Sequence, residues 1–304
     1  MRLLTRSDFD GLACGTLLKE LGIIDHWKFV HPKDIQDGLV EVDDNDVLAN
    51  IPYVEGCKMW FDHHVSEKDR LDKNVVFEGE SRIAPSAARI IYEYYGGKEK
   101  LSHFEEMIVA VDKVDSGDLT ADEILNPTGW ILLGFIMDPR TGLGRFRNFR
   151  ISNYQLMEVL IDKCAKEKIA EILSDEDVKE RVKLYFEQDE LFKEMLLKYT
   201  KVEKNLIITD LRGVENIYTG NRFLIYSLFP EQNISMWIVD GRANINCPIA
   251  VGHSILNRTS NTNVGPLLLQ YGGGGHRQVG TCQVPYGEAD KVIGELINSI
   301  TIDG

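Results

Sequence analysis

No stretch of the 304-residue chain approaches the ~18 consecutive apolar residues that a membrane-spanning helix needs, so no helical span is expected. The opening residues, MRLLTRSDFDG, turn acidic at Asp8 and lack the apolar core of about 7–15 residues that marks a secretory leader. The five cysteines (Cys14, Cys57, Cys164, Cys247 and Cys282) are odd in number, scattered and without CxxC spacing. Neither a disulfide framework nor a zinc cluster follows from them. These absences predict a protein of the reducing cytoplasm with no membrane partner. Positive charge is also scarce, with 34 Lys and Arg against 48 Asp and Glu and a net charge of −14. A protein that grips long nucleic acid neutralises many phosphates and is normally basic. Any nucleotide ligand is therefore short, or is held by a local cluster of cations against the overall field.

Of the residues present, 43% are hydrophobic and 27% charged, and the length is enough for two modest cores. In the first half, apolar runs at 2–5, 27–31, 46–50, 58–61 and 75–77 read as strands. They alternate with helical patterns at 11–21, 85–95 and 101–113. Such alternation predicts an α/β domain with a mostly parallel sheet flanked by helices. Ligands of such sheets sit beyond the carboxyl ends of the strands. Residues 154–199 are rich in Leu, Glu and Lys without Gly or Pro, and read as helix. Strands at 206–209, 234–239 and 249–253, a helix near 222–228 and a closing helix at 288–300 then predict a smaller α/β domain with a mixed sheet. The expected organisation is a first domain at 1–165, a helical linker at 166–200 and a second domain at 201–304.

Four segments carry chemistry. The run Trp60-Phe61-Asp62-His63-His64 closes a strand, and adjacent histidines on an extended chain point opposite ways. One can bind a metal while the other faces substrate, and burying both without partners would be costly. In Ser7-Asp8-Phe9-Asp10-Gly11, two carboxylates share one face of an extended segment and can reach a divalent ion together. One of them can instead cap the helix that follows. Asp112-Lys113-Val114-Asp115-Ser116-Gly117-Asp118 closes a helix and reads first as a solvated acidic helix end, although acidic groups there oppose the dipole and hint at a compensating cation. Gly272-Gly273-Gly274-Gly275-His276 is either a flexible tip or a loop whose N–H groups wrap an anion, with His276 adding a donor.

In this order the segments SDFDG, FDHH, VDSGD and GGGGH resemble the DHH/DHHA1 phosphoesterase superfamily, over essentially the whole chain. The superfamily includes RecJ-type exonucleases, oligoribonucleases, cyclic-dinucleotide phosphodiesterases and family II inorganic pyrophosphatases. The resemblance is strongest to two-domain bacterial proteins labelled exopolyphosphatase-related or oligoribonuclease-like. It implies a DHH domain followed by a DHHA1 domain, and Mn²⁺ or Mg²⁺ ions that activate water toward phosphorus. By position, Asp10, His63 and Asp115 match ligands of one ion, and Asp8 matches a ligand of the other. His64 would face the scissile phosphate, with Asp62 orienting a histidine. Gly273, Gly274, Gly275 and His276 would hold the far end of the substrate. Arg140, in the cation-rich run DPRTGLGRFR, is a candidate phosphate contact and equally an ordinary loop residue. The resemblance also admits a homodimer.

Two positions depart from the family pattern. Where a histidine normally precedes the paired aspartates, this chain has Leu4 and Arg6. Where a strand normally ends in a bridging aspartate, the run DVLANIP has Asn50, whose amide brings no charge and bridges two ions poorly. Both losses fall on one metal position. The expectation is one ion rather than two, with the Arg6 guanidinium standing where the second would lie. The leading reading is a phosphodiesterase that cuts short oligonucleotides or dinucleotides to nucleoside monophosphates. The alternatives are a weakly catalytic or non-catalytic nucleotide-binding protein on the same scaffold, or a hydrolase of polyphosphate. Stacking aromatics in the second domain would favour bases over polyphosphate, and Tyr218, Phe223 and Tyr271 are the candidates, each also suited to a core.

Overall fold

Every residue of strands β3 (Asp46–Ala49) and β4 (Met59–Asp62) is buried, as are the last three of β1 (Arg2–Thr5). Strands covered on both faces belong inside a parallel sheet. With β2 (His26–Phe29) and β5 (Glu78–Ser81) as edges, they form a five-stranded, all-parallel sheet of order β2-β1-β3-β4-β5. This computed structural model describes residues 1–64 and 75–304. Leu4, Leu48, Ile51 and Trp60 pack together with Val30 and Ile35 in one core of this sheet. The Trp60 indole donates to the Ile51 carbonyl at 2.9 Å, so its polar atom is satisfied in the interior.

The strand order reverses between β1 and β3. In open α/β sheets a ligand crevice opens at such a point, beyond the carboxyl ends. Here β1 delivers Arg6 and Asp8 to that crevice, β3 delivers Asn50, and β4 delivers His63. Helix α1 (Phe9–Glu20) starts at once after β1, because Asp8 is extended and its carboxylate accepts from Gly11 N at 2.9 Å. A side chain at Gly11 would fall 1.9 Å from the Arg6 carbonyl, so only glycine permits this tight exit from the strand.

The chain divides into two units, Met1–Asp118 with Asn126–Tyr185, and Leu119–Leu125 with Phe186–Gly304. The division falls inside one helix, Glu176–Tyr199. The second unit holds a six-stranded mixed sheet of β6 (Thr200–Glu203), β7 (Leu206–Asp210), β8 (Ile234–Ile238), β9 (Asn246–His253), β10 (Gly274–Gly275) and β11 (Val279–Pro285). Its order is β10-β11-β9-β8-β7-β6, with β7 and β8 parallel and the other pairs antiparallel. Along β11 buried and exposed residues alternate strictly, as in a sheet with one face on the core. That face packs Ile208, Met236, Ile249 and Val284 against Val292 and Leu296 of the helix Ala289–Asp303.

Several expected elements are displaced. The strand expected at 75–77 lies at Glu78–Ser81, and Val76 is 93% exposed. The residues EGES contain nothing apolar, so the hydrophobic pattern pointed to the preceding VVF. Gly79, at φ +109, lets β5 approach the Trp60 carbonyl, which a Cβ would meet at 2.3 Å. The helix expected at 101–113 is Glu105–Ser116, ended by Gly117 at φ +70. Among the described residues no helix is long and apolar enough to cross a membrane.

Candidate active site

Asp10 sits in the first turn of α1, His63 just past β4, and Asp115 in the last turn of Glu105–Ser116. One ligand atom from each lies within 4.8 Å of the others. His63 Nδ1 is 3.2 Å from the Ala84 carbonyl, which can only accept, so Nδ1 carries a proton and, in the neutral ring that can bind a metal, Nε2 carries the lone pair. That Nε2 is buried without a hydrogen bond, 3.3 Å from Asp115 Oδ2 and 3.7 Å from Asp10 Oδ2. An imidazole lone pair facing two carboxylates is unfavourable unless a cation lies among them. Asp10 shows the same strain. Burial pushes its carboxyl well above the ordinary range, and Asp115 and Asp8 add to this against the pull His63 exerts when protonated. A nitrogen and two hard oxygens suit Mn²⁺ or Mg²⁺, so the residues present fit one such ion.

Asp8 and Asp10 do not share an extended face, as their spacing predicts, because the helix begins between them. Asp10 accepts from Ala87 N at 2.9 Å and Ala88 N at 2.8 Å. Asp8 faces other groups. Its Oδ1 accepts from Gly11 N at 2.9 Å and from Asn50 Nδ2 at 3.0 Å. Arg6 Nε lies 3.1 Å from Oδ2, near enough to neutralise it, though not aligned for a hydrogen bond. Burial raises the Asp8 carboxyl, while Arg6, the Gly11 N–H and Arg140 draw it back down, and burial prevails. Asn50 adopts φ +57, a left-handed conformation that asparagine and aspartate tolerate better than other side chains.

The two histidines do not point to opposite faces. The strand ends at Asp62, and the two rings that follow lie 4.4 Å apart. Fully buried Asp62 accepts from His64 Nδ1 at 2.9 Å and from His64 N at 3.2 Å. Burial disfavours the His64 imidazolium, but the Asp62 hydrogen bond and charge, with Asp115 and Asp10 behind, outweigh it and raise the ring above its ordinary value. Arg140 reaches the same place. Asp8, Asp10, Asp115, Asp138 and Arg140 line one pocket, with Phe9, Val111 and Val114 as its apolar wall. Asp138 accepts from Arg140 Nε with both oxygens, at 2.8 and 3.0 Å, and so fixes the direction of the guanidinium.

In the second unit, Gly274 and Gly275 pair with Thr281 and Gly280 as a two-residue edge strand. The N–H groups of Gly272, Gly273 and His276 donate to the carbonyls of Leu269, Leu268 and Val279. Glycine is demanded here by crowding, since a Cβ at Gly273 or Gly275 would fall 2.2 Å from a carbonyl oxygen. The His276 side chain remains exposed. Of the three aromatics, Phe223 is buried, Tyr271 packs on the core with its hydroxyl on Glu295, and Tyr218 is half-buried.

The chain is 50% identical to the pGpG-specific phosphodiesterase PggH of Vibrio cholerae, covering 100% of this chain and 99% of that one, with a TM-score of 0.88. The chain belongs to the DHH/DHHA1 phosphoesterase superfamily. Two more distant structures share the DHH/DHHA1 fold. One is the DHH domain of a member of a ribosomal-protein family, at 14% identity, TM-score 0.54, and 99% and 86% coverage of the two chains. The other is a Mn²⁺ complex of RecJ from Thermus thermophilus, at 13% identity, TM-score 0.52, and 98% and 52% coverage. No protein-family model matches the chain, and no match is found among curated proteins.

Reading the sequence for side-chain chemistry missed two parts of this DHH site. Asp138 is one, and its signal was the Asp-Pro-Arg run, in which an aspartate caps a short turn and meets the arginine two residues on. The other is the segment 84–88, which acts through its backbone and has no compositional signature.

Proposed function

We propose that this chain is a phosphodiesterase that hydrolyses linear dinucleotides of the pGpG kind to 5′-mononucleotides, using one divalent cation held by Asp10, His63 and Asp115. The observation that carries this reading is His63 Nε2, buried and unpartnered between two carboxylates. The full-length likeness to a pGpG-specific enzyme supports the substrate class. A cation among these residues would supply Lewis acidity and charge neutralisation at the scissile phosphoryl group. Arg6 stands against Asp8 where a second ion would otherwise be needed, and Asn50 donates to that carboxylate instead of bridging. Arg6 and Arg140 neutralise charge on the non-bridging oxygens as it develops. His64, held at Nδ1 by Asp62, presents Nε2 to the phosphate. In the reaction the oxygen of water bonds to phosphorus, the P–O3′ bond breaks and a proton passes to the departing O3′. His276, whose backbone N–H is spent on Val279, has an exposed side chain that can donate to a substrate phosphate.

Chromatography of pGpG and of a pentanucleotide, with Mn²⁺ or after chelation, tests the reading. Mononucleotide should form faster from the dinucleotide, vanish on chelation, and fall about 10³-fold with Asp115→Ala. Undiminished hydrolysis after chelation, or faster cutting of the longer strand, would defeat it.

A further inference from the structure

The segment 84–88 touches two of the three proposed metal-binding side chains, each through the backbone. The Ala84 carbonyl fixes the tautomer of His63, and the Ala87 and Ala88 N–H groups hold both oxygens of Asp10. The third side chain, Asp115, lies on a different element. Asp112 joins them. It precedes Asp115 by three residues on the same helix, so both project along one face. Its Oδ1 accepts from Ser86 Oγ at 2.7 Å, and its Oδ2 accepts from Arg89 Nε at 2.8 Å and lies 2.7 Å from Arg89 Nη2. Ser86 Oγ in turn accepts from Arg89 N at 3.0 Å and caps the helix Ala87–Tyr94, whose first two N–H groups are those on Asp10.

We propose that Asp112, Ser86 and Arg89 form a positioning clamp that sets the spacing of the metal-binding side chains, with Asp112 registering the 84–88 segment against Asp115. None of the three touches the cation. They act through the Ala84 carbonyl and the Ala87 and Ala88 N–H groups. Groups of this kind orient ligands, and their loss typically weakens metal affinity about 10–100-fold while leaving the fold in place. The inference rests on the metal reading above.

The test is Mn²⁺ affinity of the full chain, measured by titration calorimetry and by the paramagnetic resonance of free Mn²⁺, beside thermal melting without metal. Ser86→Ala and Asp112→Asn should each weaken Mn²⁺ binding about tenfold or more. Asp112→Asn keeps an acceptor for Ser86 but loses the charge that holds Arg89, so it loosens the clamp without leaving Ser86 unpartnered. Ser86→Thr keeps both the cap and the hydroxyl and should restore affinity. Asp177→Asn breaks the Arg150 pair elsewhere in the same unit, so it should lower the melting temperature without moving Mn²⁺ affinity. If Ser86→Ala and Asp112→Asn bind Mn²⁺ as tightly as wild type while Asp115→Ala abolishes binding, the clamp is refuted and the metal site stands. If Asp115→Ala leaves Mn²⁺ binding unchanged, the metal site itself is wrong and the clamp falls with it.

Discussion

Asn50 Nδ2 lies 3.0 Å from Asp8 Oδ1, so the amide presents its donor rather than its oxygen to that carboxylate. Arg6 Nε, 3.1 Å from the other oxygen, neutralises Asp8 by charge without a hydrogen bond, so the protein's own cation stands at this carboxylate. This arrangement leads directly to an ion count.

Wild-type protein should bind about one Mn²⁺ per chain. Asn50→Asp alone adds a carboxylate but leaves Arg6, and like charges ~4 Å apart at an effective dielectric near 20 repel by about 4 kcal/mol before screening. Neither single change should therefore admit a second ion, whereas Asn50→Asp with Arg6→His should. Inductively coupled plasma analysis of dialysed protein reads the stoichiometry. Two ions in the wild type would end this account of the site.

His276→Ala should raise KM for pGpG about tenfold, the worth of one charge-assisted hydrogen bond to phosphate. Mn²⁺ stoichiometry should not change, because His276 belongs to the second unit. An unaltered KM would remove His276 from the substrate's path.

Asp189 provides a pH-dependent stability that does not involve the metal. Burial, reinforced by Glu190 against the opposing Lys193, raises its carboxyl to about 6. A carboxyl whose folded value lies above its unfolded value favours the folded state when protonated. That contribution is complete at low pH and is lost as pH rises from about 3.8 toward 6. Asp189→Asn should accordingly raise the melting temperature at pH 8 by a few degrees, since about 1 kcal/mol corresponds to 2–4 °C in a protein of this size. At pH 4 it should have little effect. Equal stabilisation at both pH values would contradict the assignment.

Much of the first unit could be read from residue pattern. The apolar runs around Leu4, Leu48 and Trp60 are strands because both faces of a parallel sheet need covering, and the polar residues after them gather where such sheets bind ligands. Hydrophobicity failed at Glu78–Ser81, where a strand holds its place by backbone pairing and the smallness of Gly79. It failed also at Asp8, whose capping of α1 starts the helix two residues before the periodic pattern does. The gathering of Asp10, His63 and Asp115 is what the family resemblance of their motifs implies. What holds them at the right distances does not, because the Ala84 carbonyl and the Ala87 and Ala88 N–H groups are common to every amino acid. The glycine run misled in another way: four glycines suggest freedom, yet at Gly273 and Gly275 a Cβ would strike a carbonyl of the paired strand.

The left-handed backbone at Asn50 bears on how the one-ion centre proposed for this chain and a two-ion centre could interconvert. Asparagine and aspartate are the residues that tolerate φ +57 there, so exchanging them leaves the end of β3 undisturbed. Their codons differ by a single base, and so do those of histidine and the CGU or CGC codons of arginine. If a carboxylate at 50 and an imidazole at 6 suffice for a second ion, a pair of point mutations separates the two kinds of centre, and either single change keeps Asp10, His63 and Asp115 in the sequence.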